Sequence, residues 1–347
     1  MKLRVGILGL GLIGDIQVDT FQSYVEDTEV VAVCDIDTQR ARHCAAKYEV
    51  PRHYTDGEAL IESEELDILC ICTPPDSHHL YTLAGLQRGW HIICEKPSAM
   101  NEGEVQEMLR AAQSAGVTHV VDHELRFNGN RARIKELIGS GYIGHPRHAV
   151  VVQTNNSLVD TPWTWWSTAA MGGGALGEFA SHSIDLLRWW FGDIAHASGE
   201  IHTFITERPD ADGNVKPVDS DDYLSFSLHF TNGARAQGTM SGVAGYSGLR
   251  HVEINGNEGA LMIDDKERLW GYQNGKDEPE DLTVEETIPS LVGFPGDIWS
   301  PAFVRLAQGL ITCISKGDPL VAAANFNDGL HVQRVLDQVR KSSAQLT

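Results

Sequence analysis

The sequence lacks the features of several protein classes. No apolar run approaches the ~20 residues that cross a bilayer, and the six cysteines form no CxxC pair and show no regular spacing. Basic residues are few, 27 against 48 acidic ones, which leaves a formal net charge of −21. A surface with this charge repels nucleic acid backbones and anionic lipid headgroups. We therefore predict no nucleic-acid and no membrane partner, and a small molecule as the ligand.

The scattered cysteines and the N-terminal segment both favour a soluble, cytoplasmic protein. In a chain of this size, such cysteines are typical of reduced, mostly buried thiols. The apolar run from Val5 to Ile13, which follows Lys2 and Arg4, imitates a secretory signal. Glycines interrupt that run and no small-residue cleavage site follows it, so we do not interpret it as a signal peptide.

Residues 1–122 are predicted to form a doubly wound α/β (Rossmann) domain. Short runs of Val, Ile, Leu and Cys, typical of parallel strands buried on both faces, alternate there with segments of helical spacing. Helices crossing over between parallel strands produce the doubly wound arrangement. The predicted strands are Leu3–Leu8, Val30–Cys34, Ile68–Cys72, His91–Cys94 and Thr118–Val121, and the predicted helices are Ala41–Tyr48, His79–Arg88 and Glu104–Ala115.

Residues 123–347 follow a different pattern, which predicts an α+β domain with an open, mostly antiparallel sheet. Strand and turn signals dominate from Ala195 to Trp270. Asn232-Gly233 is a strong hairpin signal between Tyr223–Phe230 and Ala234–Ser241. We expect this domain to bind the substrate and to mediate oligomerisation.

Few helices remain to cover that sheet. The two C-terminal helices, predicted over Pro301–Ser315 and Asn327–Ser342, are expected to close it, and the Asp-, Pro- and Gly-rich stretch Glu207–Asp222 is expected to be an exposed loop. An open sheet must bury its remaining apolar face against something else. We predict a homodimer or homotetramer that forms through the sheet.

A glycine motif opens the chain and predicts a dinucleotide site. It follows the first predicted strand and begins a helix, so that the first glycine makes the turn, the second admits a pyrophosphate and the third allows close helix packing. Amides at the helix N-terminus then face the anion. The motif, GxGxxG, comprises Gly9, Gly11, Leu12, Ile13 and Gly14.

Asp35 specifies the expected cofactor. It ends the second predicted strand, where a carboxylate accepts from a ribose 2′-hydroxyl and repels a 2′-phosphate. NAD is therefore favoured over NADP. Arg40 lies close enough in sequence to reach a phosphate, so NADP remains an alternative.

Two further turns leave the carboxyl ends of parallel strands, where ligands bind in such sheets. One carries Thr73, Pro74 and His78, and the other carries Glu95 and Lys96 before Pro97; we assign both to cofactor binding. Lys96 facing inward is a candidate proton donor and acceptor, because partial desolvation lowers a lysine pKa toward working pH. The alternative is a surface ammonium group paired with Glu95.

Glu178, His182 and Asp185 are spaced so that one helix places all three on one face. A carboxylate four residues before a histidine orients the ring, which makes Glu178 and His182 candidate catalytic residues. The alternative is a capped, salt-bridged buried helix. A zinc site is disfavoured because HExxH is absent and no cysteine is near, and we predict no metal.

Several motifs together resemble the glucose–fructose oxidoreductase, inositol dehydrogenase and rhizopine-catabolism (Gfo/Idh/MocA) family. The resemblance implies an NAD(P)-dependent oxidoreductase of sugars, polyols or similar carbonyl compounds, with an open sheet often used for dimerisation. It also implies that Lys96, His182 and an acid four positions earlier surround the reacting hydroxyl. That acid is Glu178 here, whereas the family usually has Asp. The shared motifs are Gly9–Gly14, Thr73-Pro74…His78, Glu95-Lys96-Pro97, Leu125-Arg126-Phe127, Gly172–Leu176 and Ser181–Asp185.

Other substrate contacts are less specific. His123-Glu124 either lines the substrate pocket or forms a solvated turn. Trp163, in a tryptophan-rich loop, either stacks on the substrate or packs within the protein. We expect hydride transfer at a secondary alcohol of a sugar, inositol or related polyol. The alternatives are an NAD-dependent redox glycosidase and a non-catalytic dinucleotide-binding regulator, the latter disfavoured by Lys96 and His182.

Overall fold

A computed structural model describes residues 2–246, 248–293 and 297–345. The chain forms two compact units, Met1–Asn128 with Ile288–Leu330, and Gly129–Thr287 with His331–Thr347. A single boundary after residue 122 does not represent this division, because the chain returns to the first unit near its C-terminal end.

The first unit contains a parallel sheet. Its strands, in the described residues, are β1 (Leu3–Leu8), β2 (Thr28–Cys34), β3 (Arg52–Tyr54), β4 (Ile68–Ile71), β5 (His91–Cys94) and β6 (His119–Val121). They lie in the order β3-β2-β1-β4-β5-β6, and all pairs are parallel. This is the strand order of a doubly wound dinucleotide-binding sheet, with its reversal between β1 and β4. The predicted fold class is confirmed; the edge strand β3 was not predicted because its three residues form no apolar run.

Three of the described helices begin at an Asp or Asn side-chain cap. Asp37, Asp56 and Asn101 accept backbone N–H groups at the starts of the second, third and fifth helices. The described α-helices are α1 (Leu12–Asp19), α2 (Thr38–Lys47), α3 (Gly57–Ser63), α4 (His78–Gln87), α5 (Glu102–Ala115), α6 (Gly129–Gly139), α7 (Ser181–Phe191), α8 (Ser300–Lys316) and α9 (Phe326–Ser343).

Helix α8 belongs to the core of the first unit. Its buried residues Phe303, Leu306 and Leu310 pack in one cluster with Val5 and Phe21. The rings of Phe21 and Phe303 meet edge to face, with centroids 6.2 Å apart. The expectation that both C-terminal helices close the antiparallel sheet is therefore wrong for α8, since its apolar face is buried in the first unit.

The second unit contains a mostly antiparallel sheet, as predicted. The strands are β7 (Pro146–Thr154), β8 (Ile194–His202), β9 (Glu207–Pro209), β10 (Val215–Pro217), β11 (Tyr223–Phe230), β12 (Arg235–Ser241), β13 (Leu249–Gly256), β14 (Gly259–Ile263), β15 (Leu269–Gln273) and β16 (Glu280–Asp281). The large sheet has the order β16-β15-β14-β13-β7-β12-β11-β8. Among the described strands of this sheet, only β7 and β12 pair in parallel. The predicted hairpin is β11–β12. Helix α9 belongs to this unit from His331 onward, where Gln338 Oε1 accepts the amide of Ala197 in β8 at 2.8 Å.

The stretch Glu207–Asp222 is not simply an exposed loop. Strands β9 and β10 pair within it, and Arg208, Val218 and Ser220 are buried. Arg208 donates to the Thr161 carbonyl at 2.9 Å. The Pro- and Gly-rich composition marked the turn between these strands but not the contacts that bury their ends.

None of the helices in the described parts of the chain is both long enough and apolar enough to span a bilayer.

Candidate active site

The glycine turn after β1 is shaped by close backbone packing. Gly9 has φ +85°, and a Cβ there would lie 2.5 Å from the carbonyl oxygen of Cys72, at the end of β4. A Cβ at Gly14 would overlap the Gly9 carbonyl oxygen. Both positions therefore require glycine, one for a left-handed conformation and both for close approach.

Gly11 differs, because a Cβ there would meet no atom of the described chain within 4 Å. Gly11 is the N-cap of α1 and provides no side-chain cap. The next residues, Leu12 and Ile13, are 64% and 38% exposed. An uncapped helix N-terminus beside open space fits the pyrophosphate of a dinucleotide, so the predicted cofactor residues fit NAD.

Asp35 fixes the glycine turn from the end of β2. Its Oδ2 accepts the Leu10 amide at 2.8 Å, and its Oδ1 accepts the Asp37 amide at 2.8 Å. Arg40 Nη1 lies 3.1 Å from Oδ2, with its side chain half exposed. The carboxylate is thus held where β1 and β2 end, and Arg40 partly balances its charge.

His78 connects the two predicted cofactor turns. Its Nε2 lies 2.7 Å from the Thr73 carbonyl oxygen and its Nδ1 lies 2.9 Å from the Pro97 carbonyl oxygen. Burial lowers the pKa of His78 to about 4, whereas the two carbonyls favour the protonated ring. Ser77 Oγ donates to the Thr73 hydroxyl at 2.7 Å. The His78 ring therefore lies between the Thr73 turn and the Lys96-Pro97 turn, and a neutral ring donates to one of these two carbonyls.

Lys96 follows a buried carboxylate. Its amide donates to Glu95 Oε2 at 3.2 Å, and Glu95 Oε1 accepts from Gln17 Nε2, also at 3.2 Å. Glu95 is buried and Lys96 is partly buried. A fully solvated surface pair, the alternative considered from the sequence, does not fit this burial.

The turn after β6 is also buried. His123 is 1% exposed and Glu124 is buried, which excludes the solvated-turn interpretation. The His123 carbonyl accepts the amide of Arg126, and Arg126 lies 3.5 Å from Asp328 in an ion pair. His123 stays a candidate substrate residue.

In the second unit, Glu178, His182 and Asp185 are all buried on one helical segment. The sequence predicted one continuous helix here. In the structure, Leu176–Ala180 instead forms a π-helical turn that leads into α7. Glu178 lies in this turn and His182 in the first turn of α7. π-Helical turns occur often at functional sites.

Asp221 holds the start of that segment, and sequence reasoning missed it. Its Oδ2 accepts the Leu176 amide at 2.7 Å and its carbonyl accepts the Ala175 amide at 2.8 Å. Gly174 has φ +119°, and a Cβ there would collide with Asp221 Oδ1. Burial raises the pKa of Asp221 to about 6. Its position in a stretch interpreted as an exposed loop concealed it.

Trp163 packs against the β9–β10 hairpin. Its indole N–H donates to the Pro217 carbonyl at 3.0 Å, and Lys216 Nζ lies 4.8 Å from its ring centroid. These contacts support the packing alternative for Trp163.

Comparison with known proteins agrees with this geometry. Residues 3–123 match the model of an oxidoreductase family with an NAD-binding Rossmann fold, and residues 132–262 match the GFO/IDH/MocA C-terminal domain. Levoglucosan dehydrogenase of Pseudarthrobacter phenanthrenivorans is 28% identical over 342 residues, covering 90% of this chain and 87% of that protein. Myo-inositol 2-dehydrogenase of Thermotoga maritima is 26% identical over 263 residues, covering 76% and 75%.

A solved structure has the same fold. Levoglucosan dehydrogenase in complex with NADH and levoglucosan superposes with a TM-score of 0.87 at 24% identity, covering 100% of this chain and 98% of that one. The parallel sheet with its glycine turn, the mostly antiparallel second sheet and both family models lead to one conclusion. The chain belongs to the Gfo/Idh/MocA family of NAD-binding oxidoreductases.

Proposed function

We propose that this protein transfers hydride between NAD and a secondary alcohol or ketone of a sugar, inositol or related polyol. The observation that carries the proposal is the open, uncapped start of α1 at Gly11. Gly9, in the turn before this helix, packs against the Thr73 turn. His78 contacts both the Thr73 turn and the turn of Lys96. When bound, the nicotinamide supplies or accepts the hydride.

The residues that would hold NAD lie at the carboxyl ends of β1, β2 and β4. The amides of Leu12 and Ile13 would face the pyrophosphate, and Asp35 would accept from the ribose. Thr73 and Pro74 form the rigid turn that borders the glycine loop.

The proton chemistry is assigned to Lys96 and His182. Lys96 would take up the proton of the substrate hydroxyl during oxidation and return it during reduction, with His182 assisting and Glu178 orienting the imidazole. The burial of Glu95, Glu178 and His182 supports these roles, because charge and hydrogen bonding act more strongly away from water.

The test begins with nicotinamide absorbance against a panel of sugars, inositols and sugar acids, with NAD and NADP in parallel. Absorbance change with one of these substrates is the expected result. Sugar release without net absorbance change would instead identify a redox glycosidase. Dinucleotide binding with no turnover of any kind would favour a regulator.

Variants then test the proton path. We expect Lys96→Met to lower turnover by roughly 100-fold or more, the usual scale of general acid–base help, with little change in NAD affinity. His182→Asn should also slow turnover, Glu178→Gln should do so less, and the Lys96/His182 double variant should be less impaired than the product of the single effects. The exposed Lys266→Met is the matched control. Turnover by Lys96→Met close to that of Lys266→Met would show that Lys96 is not the proton carrier.

A further inference from the structure

Three buried polar side chains meet beside the Lys96 backbone in the first unit. Gln17 Nε2 lies 3.2 Å from Glu95 Oε1 and 3.0 Å from Asp122 Oδ2, so one amide group donates to two carboxylates. Gln17 is 0%, Asp122 2% and Glu95 8% exposed. Water therefore solvates none of these groups well.

The sheet places the two acids together. Cys94 and Val121 are register partners in β5 and β6, and Glu95 and Asp122 are the next residues of each strand. The Asp122 amide donates to the Cys94 carbonyl at 2.8 Å, which continues the ladder by one residue. The close approach of the two carboxyl groups thus follows from strand pairing.

Two ionised carboxylates do not fit this site. One amide nitrogen lies within hydrogen-bond distance of both carboxyl groups, so they are close together, and two negative charges this close and this far from water repel each other. Asp122 Oδ1 receives no hydrogen bond from the described residues. If Asp122 were ionised as well as Glu95, its buried carboxylate would therefore lack a hydrogen-bond donor at Oδ1.

The charged and titratable groups around Asp122 reinforce this argument. Burial and the carboxylates of Glu95 and Glu124 raise the pKa of Asp122 well above its usual range, and Lys96 is the opposing cation. The neighbouring thiols add no charge, because burial raises the pKa of each well above neutral; they are Cys70, Cys72 and Cys94.

We propose that Glu95 and Asp122 share one proton and together present a single negative charge to Lys96. The role at Lys96 rests on the proposed function, whereas the shared proton does not. The pair resembles carboxyl dyads in which two adjacent acids titrate as one unit. Across the neutral range the pair carries one negative charge beside Lys96, whereas two independently ionised acids would carry two.

Infrared spectroscopy of the full chain without cofactor tests the shared proton. We expect a carboxylic-acid C=O stretching band at neutral pH that shifts in D₂O and is lost in Asp122→Asn. Asp67→Asn is the matched control, because Asp67 pairs with Arg4 and its pKa is lowered by that partner; this variant should keep the band. If the wild-type protein shows no such band at neutral pH, the proposal is overturned, and this measurement does not depend on whether any variant folds.

Competitive acetylation of Lys96, followed by mass spectrometry, tests the charge. Asp122→Asn should leave the pH at which Lys96 becomes reactive nearly unchanged, because Glu95 still carries the single charge. The double variant Glu95→Gln/Asp122→Asn removes that charge and should lower this pH by about one unit, a tenfold change in reactive amine. A drop in Asp122→Asn of about half that in the double variant, or more, would show that Asp122 carries a charge of its own and would refute the pair. Neither measurement needs a substrate, so a failed substrate panel would overturn the proposed function alone.

Discussion

Asp221 offers a quantitative test of how the helix bearing Glu178 and His182 is held. Its carboxylate accepts the Leu176 amide at 2.7 Å, where the π-helical turn begins. The substitution Asp221→Asn keeps an acceptor oxygen of the same shape and removes the negative charge. It therefore separates the hydrogen bond from the electrostatic cost of burying the carboxylate.

The magnitude follows from the pKa of Asp221. Burial, helped by the nearby carboxylate of Asp222, raises this pKa from 3.8 to about 6, although the Leu176 amide and Arg340 oppose the shift. Because the folded state binds the Asp221 proton more tightly than the unfolded state, the contribution of Asp221 to stability is greatest below pH 3.8 and is lost as the pH rises through 6. The difference of about 2 units corresponds to about 3 kcal/mol of unfolding free energy.

The variant should therefore match the wild-type protein near pH 4 and exceed its unfolding free energy by about 3 kcal/mol at pH 8. Urea unfolding followed by tryptophan fluorescence at several pH values measures this difference, since effects common to both proteins cancel. Asp264→Asn is the control: hydrogen bonds from Trp270 and Arg268 hold the pKa of Asp264 at about 2 against burial. Its difference from wild type should stay constant between pH 4 and 8. An Asp221→Asn difference that is constant over the same range would refute the reasoning.

Three further predictions concern the cofactor and the assembly. NAD should bind at least about tenfold more tightly than NADP, because the Asp35 charge repels a 2′-phosphate by about 1–3 kcal/mol after partial balance by Arg40; titration of both dinucleotides measures this, and tighter NADP binding would contradict it. Gly11→Ala should change the unfolding free energy by less than about 0.5 kcal/mol while weakening NAD binding about tenfold or more, whereas Gly14→Ala should destabilise the fold because its Cβ would overlap the Gly9 carbonyl. Calorimetry and denaturant unfolding separate the two effects, and equal loss of stability in both variants would argue against an open site at Gly11. Light scattering at micromolar concentration should give the mass of a dimer or tetramer, and a monomer mass would disprove association through the second sheet.

Local sequence patterns were enough to predict the doubly wound sheet and its glycine turn. Strands such as β1 and β5 are continuous apolar runs, and their burial on both faces follows from composition alone. The turn at Gly9–Gly14 has its own glycine motif, so spacing revealed it, although Asp35 and Cys72 also contact it. Resemblance to a known family, tested by comparison, added the activity class.

Only the tertiary structure decided how distant segments combine. Helix α8 has an apolar face that either unit could bury, and nothing in its own sequence selects the cluster of Val5 and Phe21. The pairing of Asp122 with Glu95 depends on the alignment of β5 with β6, and the contact of Asp221 with Gly174 joins residues separated by a long stretch of chain. These contacts bring together groups far apart in sequence, and a carboxylate's pKa depends on what surrounds it in space. The sequence by itself therefore determined the kinds of residues available for the chemistry, while the tertiary structure determined which of their charges share a proton, a helix start or a turn.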